Sequence, residues 1–590
     1  MEATDVKQTI AGALGKALAE LKLLAGGDVP DFEISHPKDE KNGDYSTNIA
    51  LLLAKRVGHN PRELADKIAS VLQNDVEMNR LIRKVEVAGA GFINFYLKPE
   101  WLAAEAEKAI EKDFGKNGKY RGKLAIVEYS SPNIAKPFTV GHLRSTIIGD
   151  AVANLLEMNG WKVLRDNHLG DWGTQFGKQI AAIKHWGDIE AIGKSENPVK
   201  ELVALYVKFH EEAEKDSALD DEARAWFKKL EDGDPEARQL WQMCVDWSWK
   251  EFARIYDLLG VHHSPEFQGG RGLGEAFFED KMGTVIELLK KKKMLKEGKE
   301  GAQLVFFPGD KYPPAMILKK DGATLYHTRD LATDKYRLET YHPDLIINEV
   351  GAEQQLYFQQ LYEMEQMLGW YGPGQRVHVM HGMYRFAEGK MSTRRGNVVW
   401  LEEVLDEAIK RAGELGKGNE KVAEAVGIGA LKWNDLKGEA RRDIVFDWDQ
   451  ILSMQGDSGP YIQYTYARAR SVLQKAVDAR VKPSQMQGFN PSNLNTEELS
   501  ILRWLYRYPE VIAEAGRVYA PHLVASYLYE LAGRFNTFYN KHQILAKQES
   551  EIQDSRFKIQ EQFRVLLTRA VANVLASGLS VLGIAAPEEM

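Results

Sequence analysis

The chain has 590 residues, of which 44% are hydrophobic, 10% aromatic and 27% charged. This length predicts three or four folded domains, and the balance of apolar and charged residues excludes a disordered protein. The one cysteine, Cys244, excludes a disulfide framework and a multi-cysteine zinc site, and is typical of a reducing compartment. Because no run comes close to about 18 uncharged apolar residues, we expect no membrane-spanning helix and a cytoplasmic protein.

The formal net charge of −8, from 77 basic and 85 acidic residues, weighs against a nucleic-acid partner when the chain is taken as a whole. The charge is unevenly distributed, however. Residues 211–234 are rich in acids, whereas residues 115–123 and 461–482 are locally basic. Since a bound nucleic acid contacts only part of a protein surface, the net charge does not exclude an RNA partner.

Residues 1–112 are predicted to form an α+β domain. An amphipathic helix begins it, two further helices are predicted from Thr47 to Val57 and from Pro61 to Gln73, and Val85–Phe95 alternates around a glycine turn as a β-hairpin does. The glycine-rich basic segment 115–123 is typical of a linker.

Residues 120–400 follow the order strand, tight loop, helix, strand. The strand Leu124–Val127 is followed by apolar residues at helical spacing from Leu143 to Leu156, and then by the strand Trp161–Leu164. This order predicts a Rossmann-type, doubly wound parallel sheet. The charged residues 185–300 are predicted to be a helical insertion into it.

The rest of the chain continues the sheet and then becomes helical. Apolar runs that predict further strands are Leu325–Tyr326, Leu345–Ile347 and Val377–Met380. We expect a helical connecting region at 400–455 and an all-α bundle at 456–590, interrupted by an uncharged spacer. The predicted fold class is therefore α/β, with an N-terminal α+β domain and a C-terminal all-α bundle.

The segment Glu128–Asp150 carries the clearest chemical signal. It places small, flexible residues between a buried strand and a helix start, where free backbone N–H groups and the helix dipole favour a nucleotide phosphate. Gly141 lets a ligand approach the backbone, and His142 can donate a hydrogen bond to it. The alternative, from these residues alone, is an ordinary strand–helix loop.

Two segments together resemble the signatures of class I aminoacyl-tRNA synthetases. Thr139-Val140-Gly141-His142 resembles the HIGH pattern, with threonine where the family usually has its first histidine, and the flanking residues 130–137 and 143–146 resemble arginyl-tRNA synthetases in particular. Residues 389–397 resemble the KMSKS loop, with Thr393 in the second lysine position. The resemblance implies catalytic roles for Lys136, Thr139, His142 and Lys390, and ATP binding by Thr139, Gly141, His142, Lys390, Met391 and Ser392. Lys136 would supply the cation that the loop lacks.

The resemblance also implies an arginine pocket. Residues 321–332 resemble the family's arginine-recognition stretch, in which Tyr326 and Asp330 would contact the guanidinium, with Gln354 completing the pocket. A carboxylate suits this substrate because it pairs with the guanidinium fork. The amino-acid end would be bound by Glu128, Ser131 and Asn133. Residues 167–177 match a further stretch of the family and are expected to form a wall of the site, without assigned chemistry.

RNA contacts are predicted on the basic segment 461–482. Basic and aromatic residues on one helix suit phosphate contacts and base stacking, and Tyr461, Arg468 and Arg470 are the candidates. The alternative is a solvated helix whose tyrosines pack in a core. Residues 459–464 resemble the start of the anticodon-binding domain of this family. The N-terminal domain resembles the family's additional domain, which contacts the tRNA elbow.

Taken together, the resemblance implies an arginine–tRNA ligase. Its expected partners are ATP with Mg²⁺ as a substrate complex, L-arginine and tRNA(Arg), without zinc, a tightly bound cofactor or a membrane, and we expect a monomer. One alternative is another class I synthetase such as the cysteine enzyme, against which the single cysteine argues. The other is a non-catalytic RNA-binding relative, against which Lys390 and His142 argue.

Overall fold

A computed structural model describes residues 6–23, 31–298, 301–385, 399–415, 419–481, 489–546 and 555–590. The chain divides into two units. The first unit comprises residues 1–114, 472–508 and 533–574, and the second comprises 115–471, 509–532 and 575–590. The residues of the C-terminal helices are thus shared between the two units.

The first unit contains an antiparallel four-stranded sheet with the strand order β1-β2-β4-β3. Its strands are β1 (Ile34–Ser35), β2 (Tyr45–Thr47), β3 (Ile82–Ala88) and β4 (Phe92–Leu97). The N-terminal helices are α1 (Val6–Glu20), α2 (Ile49–Val57), α3 (Pro61–Leu72), α4 (Met78–Leu81) and α5 (Pro99–Lys108). The predicted hairpin is confirmed as β3 and β4. Thr47 does not begin a helix as predicted, because it pairs with Ile93 as the last residue of β2.

The second unit is built on a parallel sheet with the order β11-β10-β5-β6. Its strands are β5 (Leu124–Glu128), β6 (Lys162–Asp166), β10 (Leu345–Gly351) and β11 (Arg376–His381). Strand β5 pairs in parallel with β6 on one side and with β10 on the other. The predicted doubly wound parallel sheet is confirmed, and its strand order reverses between β5 and β10. Ligands bind at such a switch point, beyond the carboxyl ends of the strands.

Helix α6 (Val140–Met158) connects β5 to β6 and is almost entirely buried. Mostly helical chain follows β6, and the predicted insertion at residues 185–300 stays a prediction. The helices of this stretch are α7 (Gln175–Trp186), α8 (Ile189–Lys194), α9 (Pro198–Ala213), α10 (Ala218–Glu231), α11 (Pro235–Leu259) and α12 (Met282–Lys291). The basic segment 115–123 contains no helix or strand, and it is bonded to the end of α6 through Asn117 N–H to the Met158 carbonyl.

The region between the insertion and β10 differs from the prediction. A small antiparallel sheet, which the sequence did not reveal, is formed by β7 (Leu295–Glu297), β8 (Gln303–Val305) and β9 (Ala315–Leu318). The run Leu325–Tyr326 is not a strand, because Tyr326 begins helix α13 (Tyr326–Tyr341) and the Leu325 carbonyl accepts bonds from Thr328 and Arg329 N–H. Two apolar residues alone do not separate a strand from the first turn of a helix.

The remaining elements are mostly helical, as predicted. They are α14 (Gln355–Leu368), the parallel pair β12 (Tyr384–Arg385) and β13 (Ile444–Val445), α15 (Leu401–Leu415), α16 (Glu420–Leu436), α17 (Trp448–Ile451), α18 (Gly459–Asp478), α19 (Thr496–Leu505), α20 (Tyr508–Val518), α21 (His522–Lys541) and α22 (Ser555–Val581). Part of α22, Phe557–Val581, is long and apolar enough to cross a membrane, but 67% of its most apolar window is buried inside the protein. This burial is typical of a core helix.

Gly149 sets how closely α6 packs on the residue that follows β5. A Cβ added at Gly149 would lie 2.2 Å from Cβ of Tyr129, which is fully buried. We predict that Gly149→Ala lowers the free energy of unfolding by about 1–3 kcal/mol, because the core has no room for another methyl group. Urea unfolding measures this, with Gly283→Ala as the control, since nothing lies within 4 Å of that position. Equal stability of both variants would contradict the prediction.

Candidate active site

The loop between β5 and α6 has an unusual backbone that other segments hold in place. Ser130, Ser131 and Ala135 have φ of 75°, 47° and 54°, a left-handed conformation that costs free energy in residues other than glycine. Their backbone N–H groups donate to side-chain oxygens of other elements at 2.9–3.1 Å, namely to Ser145 Oγ, Asn167 Oδ1 and Ser248 Oγ. The strained loop is therefore fixed by its neighbours.

Thr139 and His142 form one hydrogen-bonded unit at the start of α6. The Thr139 backbone N–H donates to Nδ1 of His142 at 3.1 Å, and Thr139 Oγ1 lies 3.0 Å from the same atom. Since Nδ1 accepts, the proton of the neutral ring lies on Nε2. Thr139 thus orients His142 and sets its tautomer, a role that the sequence did not reveal.

His142 is a neutral hydrogen-bond donor at physiological pH. Burial lowers the pKa of His142 to about 4, and the nearby His381 lowers this pKa by a smaller amount. The ring packs on Phe138, with a centroid distance of 5.4 Å. Gly141 beside it is exposed, and Lys136 is half-buried in the same loop. Together with the N-terminus of α6, these groups can contact a phosphate chain.

The second signature lies outside the described residues, so the predicted roles of Lys390, Met391 and Ser392 stay predictions. The described segments on either side of it are connected to residues next to the first signature. After it, Leu401 N–H donates to the Phe138 carbonyl at 2.9 Å. Before it, Tyr384 donates to Asp435, which also pairs with the fully buried Arg144. The described segments that flank residues 386–398 are therefore held next to the first signature.

The predicted guanidinium contacts lie on α13. Asp330, in the second turn, is half-buried and accepts a hydrogen bond from the Tyr357 hydroxyl of α14. Burial raises the pKa of Asp330 to about 6, although His168 and the Tyr357 bond lower it. Tyr326, the first residue of the helix, is 68% exposed, so its ring is accessible to a substrate.

The other predicted arginine contacts lie at the carboxyl edge of the sheet. Gln354 is exposed at the end of the turn that follows β10, and Asn133 is exposed in the loop after β5. Ser131 is half-buried in that loop. Asn133 also forms a parallel bridge with Gly170, where an added Cβ would lie 2.2 Å from Asn133 Oδ1. The stretch 167–177 thus packs directly on the predicted pocket.

Glu128, at the end of β5, already has protein partners. Its carboxylate accepts from Arg337 of α13 and from Asn348 Nδ2 of β10 at 2.9 Å. Burial alone would raise its pKa, but Arg337 and His168 lower the pKa of Glu128 to about 2. Because a carboxylate can accept about four hydrogen bonds, these contacts leave room for a substrate N–H, and the predicted substrate contact stays a prediction.

A buried ionic network behind the pocket was not found from the sequence. The guanidinium of Arg337, 0% exposed, pairs with Glu128, with Asp166 at 2.6 Å and with Asp334 at 3.1 Å. Asp334 in turn pairs with Arg376 of β11 at 2.6 Å. The network connects the carboxyl end of the sheet to α13. Asp334 and Arg337 are three residues apart, a spacing that is equally typical of an exposed helix pair.

The predicted tRNA contacts lie on α18, and each already has a partner. Arg468 stacks on the exposed Tyr464 at 4.9 Å, whereas Arg470 pairs with Glu588 at 2.8 Å. Tyr461 is half-buried with its ring 6.0 Å from that of Tyr529. Some tyrosines of α18 pack against the protein, as expected for a helix with a buried face, and others are exposed, as expected for an RNA-binding helix. The RNA contacts stay predictions.

The side chains that could bind a metal do not cluster in the described part of the chain. Within the described ranges, no three His, Cys, Asp or Glu side chains form a group that could hold an ion. Cys244 is buried in α11, and burial raises the pKa of its thiol to about 12, so it stays protonated.

Three family sequence profiles match the chain. The profile described as tRNA synthetases class I (R), catalytic domain, matches residues 108–448. The DALR anticodon binding domain matches residues 462–590, and the arginyl tRNA synthetase N terminal domain matches residues 4–97.

Curated relatives and a solved structure agree with these profiles. The chain is 39% identical to the arginine–tRNA ligase of Fusobacterium nucleatum over 95% of this chain and 96% of the relative. It is 42% identical to that of an Exiguobacterium species over 94% and 95%. The crystal structure of arginyl-tRNA synthetase from Plasmodium falciparum shares the fold, with a TM-score of 0.79, 22% identity and 99% of each chain covered. The chain belongs to the arginyl-tRNA synthetases, a family of class I aminoacyl-tRNA synthetases.

Proposed function

We propose that the chain activates L-arginine with ATP and transfers it to tRNA(Arg) in the cytoplasm, as a monomer. The arginine carboxylate attacks the α-phosphate of ATP, which gives arginyl-adenylate and pyrophosphate. The 2′-hydroxyl of the terminal adenosine then attacks the arginyl carbonyl, and AMP leaves. The observation that carries the proposal is that the first signature follows β5 at the switch point of the parallel sheet, and that Asp330 of α13 interacts with Glu128 at the end of that strand.

On the ATP side, His142 donates from Nε2 to a phosphate oxygen as a neutral ring. Lys136 and Lys390 supply positive charge where negative charge spreads as pyrophosphate leaves, and ATP brings Mg²⁺ as part of the substrate complex. Gly141, Met391 and Ser392 line the nucleotide. No side-chain nucleophile is required, because catalysis comes from placing the substrates and stabilising charge.

On the amino-acid side, Asp330 pairs with the guanidinium, with Tyr326 and Gln354 beside it. Ser131 and Asn133 bind the amino-acid end of the substrate. Glu128, at the end of the preceding strand, contributes a negative charge to the same end. On the RNA side, Tyr461, Arg468 and Arg470 contact tRNA(Arg). Because phosphate contacts carry this part of the affinity, the complex should weaken as salt is raised.

The proposal is tested by charging a mixed tRNA pool with each of the twenty labelled amino acids. We expect arginine alone to be incorporated, and arginine-dependent exchange of pyrophosphate into ATP to require tRNA. Charging of a different amino acid would contradict the proposed substrate, and no exchange with or without tRNA would contradict the enzyme assignment. Exchange without tRNA would contradict only the tRNA requirement.

Thr139 is predicted to be a working replacement for the family's usual histidine. Since the backbone N–H of Thr139 holds His142, Thr139→His should leave the KM for ATP within about threefold, and Thr139→Ala should raise it by about 2- to 10-fold through loss of one neutral hydrogen bond. Steady-state charging at varied ATP measures both, with Thr139→Ser as the control that keeps the hydroxyl. A large gain in rate for Thr139→His would show that the threonine limits activity.

Arginine binding is predicted to weaken in acid. The pKa of Asp330, raised to about 6 by burial, means that the carboxylate is charged above pH 6 and protonated below it. A protonated carboxyl cannot pair with the guanidinium, so the Kd for arginine should rise as pH falls, by about tenfold per pH unit once below pH 6. Calorimetric titration between pH 5 and 8 measures this. A Kd that does not change over the range would contradict the assigned contact.

A further inference from the structure

His168 belongs to the stretch for which neither the sequence nor the reaction supplies a role. His168 lies two residues after Asp166, the last residue of β6. Asp166 pairs in register with Glu128, the last residue of β5, so His168 lies at the same edge of the sheet as Glu128. Its ring packs near Phe278, with centroids 5.8 Å apart. The Nδ1 atom lies 2.9 Å from the carbonyl oxygen of Leu273. Because a carbonyl can only accept, Nδ1 carries a proton.

The other ring nitrogen is left without a protein partner. Nε2 of His168 is shielded from solvent and has no hydrogen bond to any of the described residues. With Nδ1 protonated, a neutral His168 presents a lone pair at Nε2. A shielded acceptor without a donor is costly in a folded protein unless a ligand supplies that donor.

The charges around the ring are those of the arginine pocket. Carboxylates that act on it belong to Glu128 of β5, Asp330 of α13, and Glu275 and Asp171 of neighbouring loops, and the guanidinium of Arg337 opposes them. Burial alone would lower the pKa of His168, but Glu128 and Asp330 raise it. A substrate guanidinium at Asp330 adds positive charge near the ring and offsets these carboxylates. This favours the neutral form of His168, which has its lone pair on Nε2.

We propose that His168 is a specificity-determining residue that accepts an N–H of the substrate guanidinium at Nε2. The inference rests on the proposed function. A guanidinium presents five N–H donors, and Asp330 can pair with only part of them. A neutral acceptor beside Asp330 selects the planar fork of arginine over the compact ammonium of lysine. The Leu273 carbonyl holds the ring in the required tautomer.

Two substitutions separate this role from a structural one. His168→Asn keeps a donor near the position of Nδ1 for the Leu273 carbonyl and removes the acceptor at Nε2. His168→Gln places an amide oxygen near the position of Nε2 and loses the bond to Leu273. The Kd of the full-length chain for L-arginine is measured by calorimetry, and the KM values for arginine and ATP by charging.

We expect His168→Asn to raise the Kd and KM for arginine by about 10- to 100-fold and His168→Gln by less than about fivefold, with the KM for ATP unchanged in both. An Asn variant with wild-type affinity, or equal losses in both variants, would overturn the inference. A Gln variant that is the weaker of the two would instead assign a structural role. If the wild-type chain does not charge arginine, the proposed function fails; if it does and the Asn variant binds normally, only the role of His168 fails.

Discussion

Asp330→Asn is expected to raise the KM for arginine by about 30- to 1,000-fold, which corresponds to about 2–4 kcal/mol. The change removes the charge but keeps the shape, and asparagine Oδ1 can still accept from Tyr357. The guanidinium then loses its charged partner in a poorly solvated pocket. Because substrate and transition state share this contact, KM should change more than kcat.

The measurement is charging at saturating ATP and tRNA with arginine varied. Glu339→Gln is the matched control, because Glu339 lies on the same helix, is 62% exposed and pairs only with Lys335 among the described residues. Its KM for arginine should equal that of the wild type. If Asp330→Asn charges with an unchanged KM, the guanidinium binds elsewhere, and the placement of the pocket on α13 is wrong.

Arg337→Leu is expected to lower the free energy of unfolding by about 3–5 kcal/mol. Arg337 is fully buried and neutralises three carboxylates, those of Glu128, Asp166 and Asp334. Leucine fills part of the volume but leaves these carboxylates without their cation. Without Arg337 the pKa of Glu128, now lowered to about 2, would rise, so the variant binds a proton on folding and loses stability as pH rises.

Urea unfolding at pH 5 and pH 8 measures the effect, and the deficit against the wild type should be larger at pH 8. Lys335→Ala on the same helix is the control. Within the described part of the chain Lys335 pairs only with the exposed Glu339, so the change should alter stability by less than about 1 kcal/mol. An Arg337→Leu variant as stable as the wild type at pH 8 would show that the network does not support the sheet edge.

The fold around the first signature could be predicted because its signals are local. Strand, small-residue loop and helix follow one another within about thirty residues around Gly141, and the structure has the same order. The roles predicted for Thr139 and His142 follow from the resemblance of residues 139–142 to the family signature, and they stay predictions. That Nδ1 of His142 accepts from Thr139 could not be predicted, since it depends on how the chain turns into α6.

Two of the residues predicted to contact arginine lie on a different element from the one expected. Tyr326 and Asp330 lie on the first turns of α13 rather than after a strand. The buried Arg337 gave no signal, because charged residues at helical spacing are equally typical of a solvent-exposed face. Its burial depends on Glu128 of β5 and Asp166 of β6, which are far away in the sequence. The buried Arg376 of β11 likewise depends on carboxylates of other elements, those of Asp334 and Glu365.

The supports of the first signature have a consequence for how the enzyme matures. Arg144, two residues after His142, bonds to Asp435 across 291 residues, and the Phe138 carbonyl bonds to Leu401. Contacts of such separation form late in folding, because the intervening chain must be ordered first. A nascent chain that has not yet exposed Asp435 therefore lacks part of the support of residues 139–142, although these residues have long been synthesised. The support of the first signature is complete only when the chain up to Asp435 has folded.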